Sequence, residues 1–559
     1  MDASANLARE AFIAALNNAV LHGGRAEVKP VVAKLMPSYR NMGAEAVIRA
    51  ATEAVEKVNS LSPEQQRSEL GVLAPEMLVK ERKERVHRLR ELEGAGDGFT
   101  VRLAPYPSGA LHIGNSRMII LNDEYARKYN GRLLLVFDDT IGSEEKLPQP
   151  ESYELIRDGL RWLGVKWDAE YYKSDRLELF YEWAVKLIER KAAYVCLCSA
   201  DQLRSNREKG LSCEHREHST ERNLELWHMM IGGEFGEGSA VLRARTGMED
   251  RNPAFRDRVL CRISDRPHPR TGNRYRVWPM LEFSWAVDDI ELGITHVIRG
   301  KELVMEDLME KFIWNALEIS GPHFEHFGLL RISGVKISKS KSTREVMSGE
   351  YRGWDDPRTW SLQSLRARGF RPEAIRSFML SLGMSLADIE APVESIYSEN
   401  RRLLEPVSER FFFVKDPVKL KVEGAPDIEY VESYRHPDFP ERGKRRIPAG
   451  QMVYIAGADY TSSLGSEIRL KDFCNVRVHE GWLEFTGRQN RDLRRIQWVP
   501  LSGAVSSTIV MPDGSTVEGF AEPSVREIEI DRPIQFERFG FVNPRGREGS
   551  GMIFYYAHD

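Results

Sequence analysis

The stretch that decides the fold is Phe99–Asn115, FTVRLAPYPSGALHIGN, read together with the downstream run Val335–Ser342, VKISKSKS. The first opens on an apolar strand, Phe99 to Leu103, and runs through a Pro- and Gly-punctuated turn into the helical pattern SRMIILNDEYARKY. Strand, turn and helix in that order aim backbone N–H groups and the positive end of a helix dipole at the turn, where phosphate oxygens can sit. Pro105 and Pro107 stiffen the approach, while Gly109 and Gly114 keep side chains off the backbone. His112 supplies a hydrogen-bond donor, and Lys336 and Lys339 bring mobile positive charge to a phosphate whose charge shifts during displacement. Either segment alone is commonplace. As a pair they point to a nucleoside triphosphate.

Working outward, 559 residues exceed what one hydrophobic core organises, so several domains are expected. A net charge of −4 gives no global sign of nucleic-acid binding, and any such contact must use local basic patches. The first twenty residues carry acids and lack an unbroken apolar core, so they do not read as a signal peptide. No apolar run is long enough to span a membrane, and the cytoplasm is the expected location. Five cysteines in so long a chain suit free thiols or a metal site rather than a disulfide framework.

Residues 1–95 have helical spacing and end in the charged run LVKERKERVHRLRELEG, a helical N-terminal appendage. From Gly98 strands alternate with helices, FTVRLAP, RLLLVFDD and ESYELIRDGLRWLG among them, which predicts an α/β fold with a parallel, Rossmann-like sheet. Its first half is 96–193 and its second half 278–345. Residues 194–277, broken by Gly, Pro, Arg and Cys, read as an insertion between the halves. Residues 346–404 read as helical and 405–559 as all-β, one or two barrels, with Asp513-Gly514 as a hairpin turn.

Asp138 and Asp139 end the strand LLLVFDD, where ligands gather in an open parallel sheet. A carboxylate there can hold an ammonium group, and Arg102 on the neighbouring strand can hold a carboxylate by a two-pronged contact. A capping Asp and a surface Arg explain the same residues equally well. Cys196, Cys198, Cys213 and His215 fall close together and have the composition of a tetrahedral zinc site, with His218 as alternative fourth ligand and buried free thiols as the competing explanation. Cys261 and Cys474 are isolated and read as buried apolar residues.

VRLAPYPSGALHIGN, VFDDT, GITHVIRGKEL and KISKS resemble the HIGH, acidic, arginine and KMSKS segments of glutamyl-tRNA synthetases, class I aminoacyl-tRNA synthetases. The likeness continues through GLRWLGVKWD, HPRTGNRYRVWP, GEYRGWDDPR and HPDFPERGKRRIP, covers nearly everything from about residue 95 onward, and has an archaeal character because the tail is β-rich. It implies that the insertion binds the tRNA acceptor end, sometimes around zinc, and that the β tail reads the anticodon. It implies that Pro105, Gly109, His112, Ile113, Gly114 and Asn115 line ATP with Lys336, Ser338, Lys339 and Ser340, and that Lys341 can substitute for Lys339. His112 and the lysines are then the catalytic set. By the same resemblance Arg102, Asp138 and Arg299 bind the amino acid, while Leu281 and Trp285 stand at its pocket positions. The implied partners are ATP with Mg2+, L-glutamate and tRNA(Glu), with tRNA(Gln) as a second substrate, for a chain acting as a monomer. Five positions depart from the pattern: Ile141 and Val136 replace an acid and an arginine, Leu281 and Trp285 stand where bacterial enzymes have a tyrosine and an asparagine, and Asn115 replaces the last histidine of HIGH, keeping a donor that cannot become cationic. The alternatives are a glutaminyl-tRNA synthetase, which needs no charge like Arg299 for an amide, and a catalytically silent tRNA-binding paralogue.

Overall fold

The computed structural model describes residues 3–21, 24–39, 42–74, 89–141, 147–335 and 339–559. The chain divides into two compact units, Met1–Val86 and His87–Asp559. The first has helices Ala3–Leu21, Val28–Tyr39, Ala44–Asn59 and Pro63–Leu73 around a core that includes Leu16, Val47, Val58 and Leu70. Ser62 starts the last of these: its hydroxyl accepts the Gln65 N–H while the Gln65 side chain returns to the Ser62 N–H, so two orphan donors are satisfied reciprocally. Most of the charged run after it lies outside the described residues. Its end, expected in the appendage, belongs instead to the second unit, where Leu92 enters the core beside Phe99 and Tyr125. An apolar Leu92 beside an apolar strand outweighs the helical charge pattern around it.

In the second unit, parallel strands β1 (Thr100–Leu103), β2 (Arg132–Phe137) and β3 (Ala169–Tyr172) form a sheet in that order. The insertion follows as an antiparallel sheet of β4 (Ala193–Cys196), β5 (Val241–Ala244), β6 (Val259–Ile263) and β7 (Val277–Pro279). The parallel pair β8 (His296–Gly300) and β9 (His323–Phe327) completes the nucleotide fold. Thr295 N–H donates to the Thr100 carbonyl at 2.9 Å, and Thr100 N–H to Thr295 Oγ1 at 2.9 Å, which sets β8 beside β1. The chain thus winds one way from β1 to β3 and the other from β8 to β9. That reversal opens a crevice beyond the carboxyl ends of β1 and β8, where Arg102 and Arg299 lie. The insertion leaves the helix Leu177–Glu189 and returns into Leu281–Glu291, and Trp183, Trp227, Trp278 and Phe283 join these elements in one core.

Helices Leu362–Ala367, Pro372–Ser381 and Val393–Leu404 occupy the expected helical segment, which also holds a strand, Ile389–Pro392, parallel to Leu330–Ser333. Four residues ending in proline show no usable period, and the strand exists because its partner supplies the ladder. The β region holds two seven-stranded sheets, with separate cores around Trp498 and Phe536, and a two-stranded antiparallel ribbon of Tyr430–Tyr434 and Lys444–Pro448. Val505–Val510 and Thr516–Ala521 form the expected hairpin, with Gly514 at φ +87°.

Candidate active site

β1 delivers the first loop. His112 caps the short 3-10 turn Ile113–Asn115: its Nδ1 accepts the Gly114 N–H at 3.1 Å, which leaves the ring proton on Nε2. Asn115 Oδ1 accepts the His112 N–H at 3.0 Å, so this side chain locks the turn. Gly114 is required by the imidazole, because a Cβ there would stand 2.9 Å from His112 Cε1. Gly109, at φ +147°, allows Trp354 to approach to where a Cβ would meet its ring at 2.6 Å. Backbone bonds from Ile113 N–H to Trp360 O and from Leu362 N–H to Leu111 O fix the loop against the following helices.

Lys336 and Ser338 lie outside the described residues, as do the side chains of Lys339 and Ser340. The helix Lys339–Met347 begins there, and its Thr343 Oγ1 donates to the Ser108 carbonyl at 3.1 Å. The lysine-bearing segment therefore runs into a helix that touches the histidine-bearing turn. Lys341 is exposed on that helix and pairs with Glu345 at 3.3 Å.

In the crevice, Trp285 stands among three cations: its ring lies 5.0 Å from the Arg102 guanidinium, 4.9 Å from that of Arg299 and 5.4 Å from Lys173 Nζ. Each cation has an internal carboxylate. Arg102 grips Asp289 with two prongs, Nη2 at 2.9 Å. Lys173 Nζ lies 3.1 Å from Asp138 Oδ1 and donates to Ser284 Oγ at 2.6 Å. Arg299 donates from Nε to Asp307 at 3.0 Å and from Nη2 to Glu310 at 2.7 Å. Arg102, Asp138 and Arg299, the three residues expected at the amino acid, thus gather at the crevice already paired. Lys173, Asp289, Asp307 and Glu310 were missed by sequence reasoning. Lys173 follows directly on β3, and that position at a strand's carboxyl end was the available signal.

Burial pushes the Asp288 carboxyl up to about 6, against the pull of Lys173 and Arg176. Burial also raises Asp307, but hydrogen bonds from His326 and the Arg299 charge bring it below the usual range. Asp139 has a different task from Asp138. It accepts the Ser174 N–H at 2.9 Å and the hydroxyls of Ser174 and Tyr153, and its carbonyl holds His268 of the insertion at 2.7 Å. The departures are equally physical. Ile141 packs in the core with Leu177 and Phe180, and Val136 packs with Leu134, Ile294 and Val297, places where a charge would be buried without a partner. Leu281 is half-buried at the start of the helix, one turn before Trp285.

In the insertion, donor atoms of Cys196, Cys198, Cys213 and His215 lie within 4.8 Å of one another. Cys196 Sγ is 3.7 Å from Cys213 Sγ, and Cys198 Sγ is 3.5 Å from His215 Nδ1. Arg243 Nη1 approaches the Cys196 and Cys213 sulfurs at 3.9 and 4.0 Å. Cys261 and Cys474 are buried in apolar surroundings. A cavity of about 560 Å³ on the same insertion is lined by Arg207, Arg258, Arg262 and Arg266 together with Glu237 and Glu282.

Comparison with known proteins shows the family. The family described as tRNA synthetases class I (E and Q), catalytic domain, matches residues 99–406, and its two anticodon-binding domains match 408–490 and 495–545. The chain is 43% identical over 552 residues to a glutamate–tRNA ligase of Methanothermobacter thermautotrophicus, covering 97% of this chain and 98% of the relative. It is 40% identical over 566 residues to that of Pyrococcus abyssi and 39% over 572 to that of Methanopyrus kandleri, at 97% and 98% of this chain and 98% of each relative. With family matches running from the catalytic fold through the β-rich tail, and with relatives around 40% identical over nearly the whole chain, this chain belongs to the class I tRNA synthetases of the E and Q group.

Proposed function

We propose that this chain attaches L-glutamate to tRNA(Glu) in two steps. The α-carboxylate of glutamate attacks the α-phosphorus of ATP in line and pyrophosphate leaves. A hydroxyl of the terminal adenosine of tRNA then attacks the adenylate carbonyl, gives up its proton, and AMP leaves. The observation that supports the reading is the Thr343–Ser108 hydrogen bond, because it joins the helix that starts at Lys339 to the histidine-bearing turn. In the first step positioning and charge stabilisation dominate. His112 Nε2–H would hold a phosphate oxygen, its ring oriented by the Gly114 N–H on Nδ1. Lys336, Lys339 and Lys341 would close over the departing pyrophosphate, flanked by Ser338 and Ser340. Asp138, with Lys173 beside it, would receive the α-ammonium group, and Arg102 and Arg299 the two carboxylates. Among the described residues neither group of potential metal ligands lies at these loops, so magnesium would arrive with the triphosphate and shield its charge.

A stabilising contact of this kind is worth about 3 kcal/mol of barrier. Lys339→Ala is expected to lower ATP–pyrophosphate exchange, assayed with tRNA present, by roughly a hundredfold while leaving tRNA affinity unchanged. Equal exchange rates in variant and parent would refute the assignment.

The insertion suits the acceptor end of tRNA: Arg207, Arg262 and Arg266 line its cavity with charge that backbone phosphates would meet, while Arg258 there is paired with Glu282 and Glu306. Cys196, Cys198, Cys213 and His215 would hold a structural zinc. Tetrahedral zinc with ordinary bond lengths requires sulfur–sulfur edges of about 3.8 Å and sulfur–nitrogen edges of about 3.6 Å, in keeping with the spacings of these donors. Charging of tRNA(Gln), action as a monomer and a cytoplasmic location extend the reading. Among the described residues no helix is long and apolar enough to cross a membrane.

A further inference from the structure

Glu310 has more charge around it than the reaction just described explains. It sits on the helix Val304–Ala316, wholly buried, with Oε1 on Arg299 and Oε2 buried without a hydrogen-bond partner. Arg299 Nη1 is likewise buried and unpartnered. Asp307, one turn earlier on the same helix, already supplies Arg299 with a carboxylate, and His326 of β9 faces Asp307 at 2.9 Å. The helix Leu281–Glu291 contributes Asp289, which is committed to Arg102 of β1. Two carboxylates therefore share one guanidinium in a site closed to water. Like charges in such a site favour leaving one of them neutral. Burial pushes Glu310 up to about 8; Arg299 and Arg102 pull against the rise and Asp289 adds to it.

A glutamate substrate brings one more carboxylate to this cluster, whereas glutamine brings a neutral amide. A bound carboxylate needs donors, and the two unpartnered atoms can each provide one: Arg299 Nη1–H, and Glu310 Oε2 when it carries a proton. We propose that Glu310 is a specificity-determining positioning residue that must be protonated for Arg299 to accept the side-chain carboxylate of glutamate. When Glu310 loses its proton, Oε2 becomes an acceptor that repels a carboxylate and suits an amide N–H. This inference rests on the reading of Arg299 as the side-chain ligand.

The test is the glutamate KM of the full chain, with tRNA present, from about pH 6.5 to pH 9, for the parent and Glu310→Gln. The amide keeps a donor and cannot ionise. The parent KM should rise about tenfold across the window, a decade for each pH unit above the carboxyl's pKa, and the KM of Glu310→Gln should stay level. The inhibition constant of glutamine should not rise in the parent. Titration calorimetry of glutamate binding at pH 9, in two buffers of different protonation enthalpy, should show the parent taking up close to one proton. Parallel pH profiles in the two proteins, or no proton uptake by the parent, would overturn the proposal; the second result stands even if Glu310→Gln does not fold. Arg299→Ala separates the two readings. An unchanged glutamate KM in that variant removes the Arg299 assignment itself. A raised KM there, beside a Glu310→Gln profile like the parent's, removes only the proton.

Discussion

The crevice around Trp285 and the thiol cluster beside β4 both bury chemically active side chains, and they meet the cost in opposite ways. In the crevice every cation has a carboxylate of its own: Arg102 with Asp289, Lys173 with Asp138, Arg299 with Asp307 and Glu310. In the cluster three sulfurs and an imidazole converge, with the guanidinium of Arg243 beside two of the sulfurs and the exposed Glu214 carboxylate 4.0 Å from the imidazole. The first arrangement is preorganised electrostatics, compensated within the protein before any substrate arrives. The second is a donor set whose chemistry suits a dication. The difference teaches that residues recognised together in a sequence as ligands can be built on contrary principles.

The largest expected effect breaks the crevice's compensation. Asp289→Ala leaves Arg102 buried and unpaired, which should cost about 3–5 kcal/mol of stability in urea unfolding. A cost under about 1 kcal/mol would mean that internal pairing is not what holds this region together. A smaller effect belongs to the cluster. Arg243→Met removes a neighbour of two sulfurs and should weaken zinc affinity about 10- to 100-fold in chelator competition, with the glutamate KM unchanged. A shift in that KM would show that the two regions are coupled and the contrast false. The smallest effect concerns the loops that frame the crevice. Thr343→Val removes one hydrogen bond, worth about 1 kcal/mol, and should raise the KM for ATP about fivefold without altering glutamate binding at saturating ATP.

How much of this was legible beforehand depended on whether the signal was local. The strand–turn–helix around His112, the insertion, the change to β period near residue 405 and the Asp513-Gly514 hairpin are written in short-range patterns, and the structure follows them. Arg102 and Asp138 were expected near one another from their neighbouring strands, and Arg299 was added to them by the family resemblance alone. Their partners were not anticipated. Asp289 meets Arg102, and Lys173 meets Ser284, over separations of 187 and 111 residues, and no spacing rule connects them. Asn115 keeps the donor expected of it, its NH2, while its oxygen takes on a second task in the turn by accepting the His112 N–H. Ile141 and Val136 looked like defects in a motif until their positions in apolar cores accounted for them.

The sequence by itself determined which elements form and which chemical groups the chain carries, since strand and helix periods, turn glycines and motif residues act within a few positions of one another. Only the tertiary structure decided which charges face each other, which are neutralised, and which, like Glu310, are left with an unpartnered atom. Those outcomes follow from the reversal of strand order between β1 and β8 and from exclusion of water behind Trp285. Both bring together residues far apart in the chain and strengthen their interaction in a low-dielectric interior.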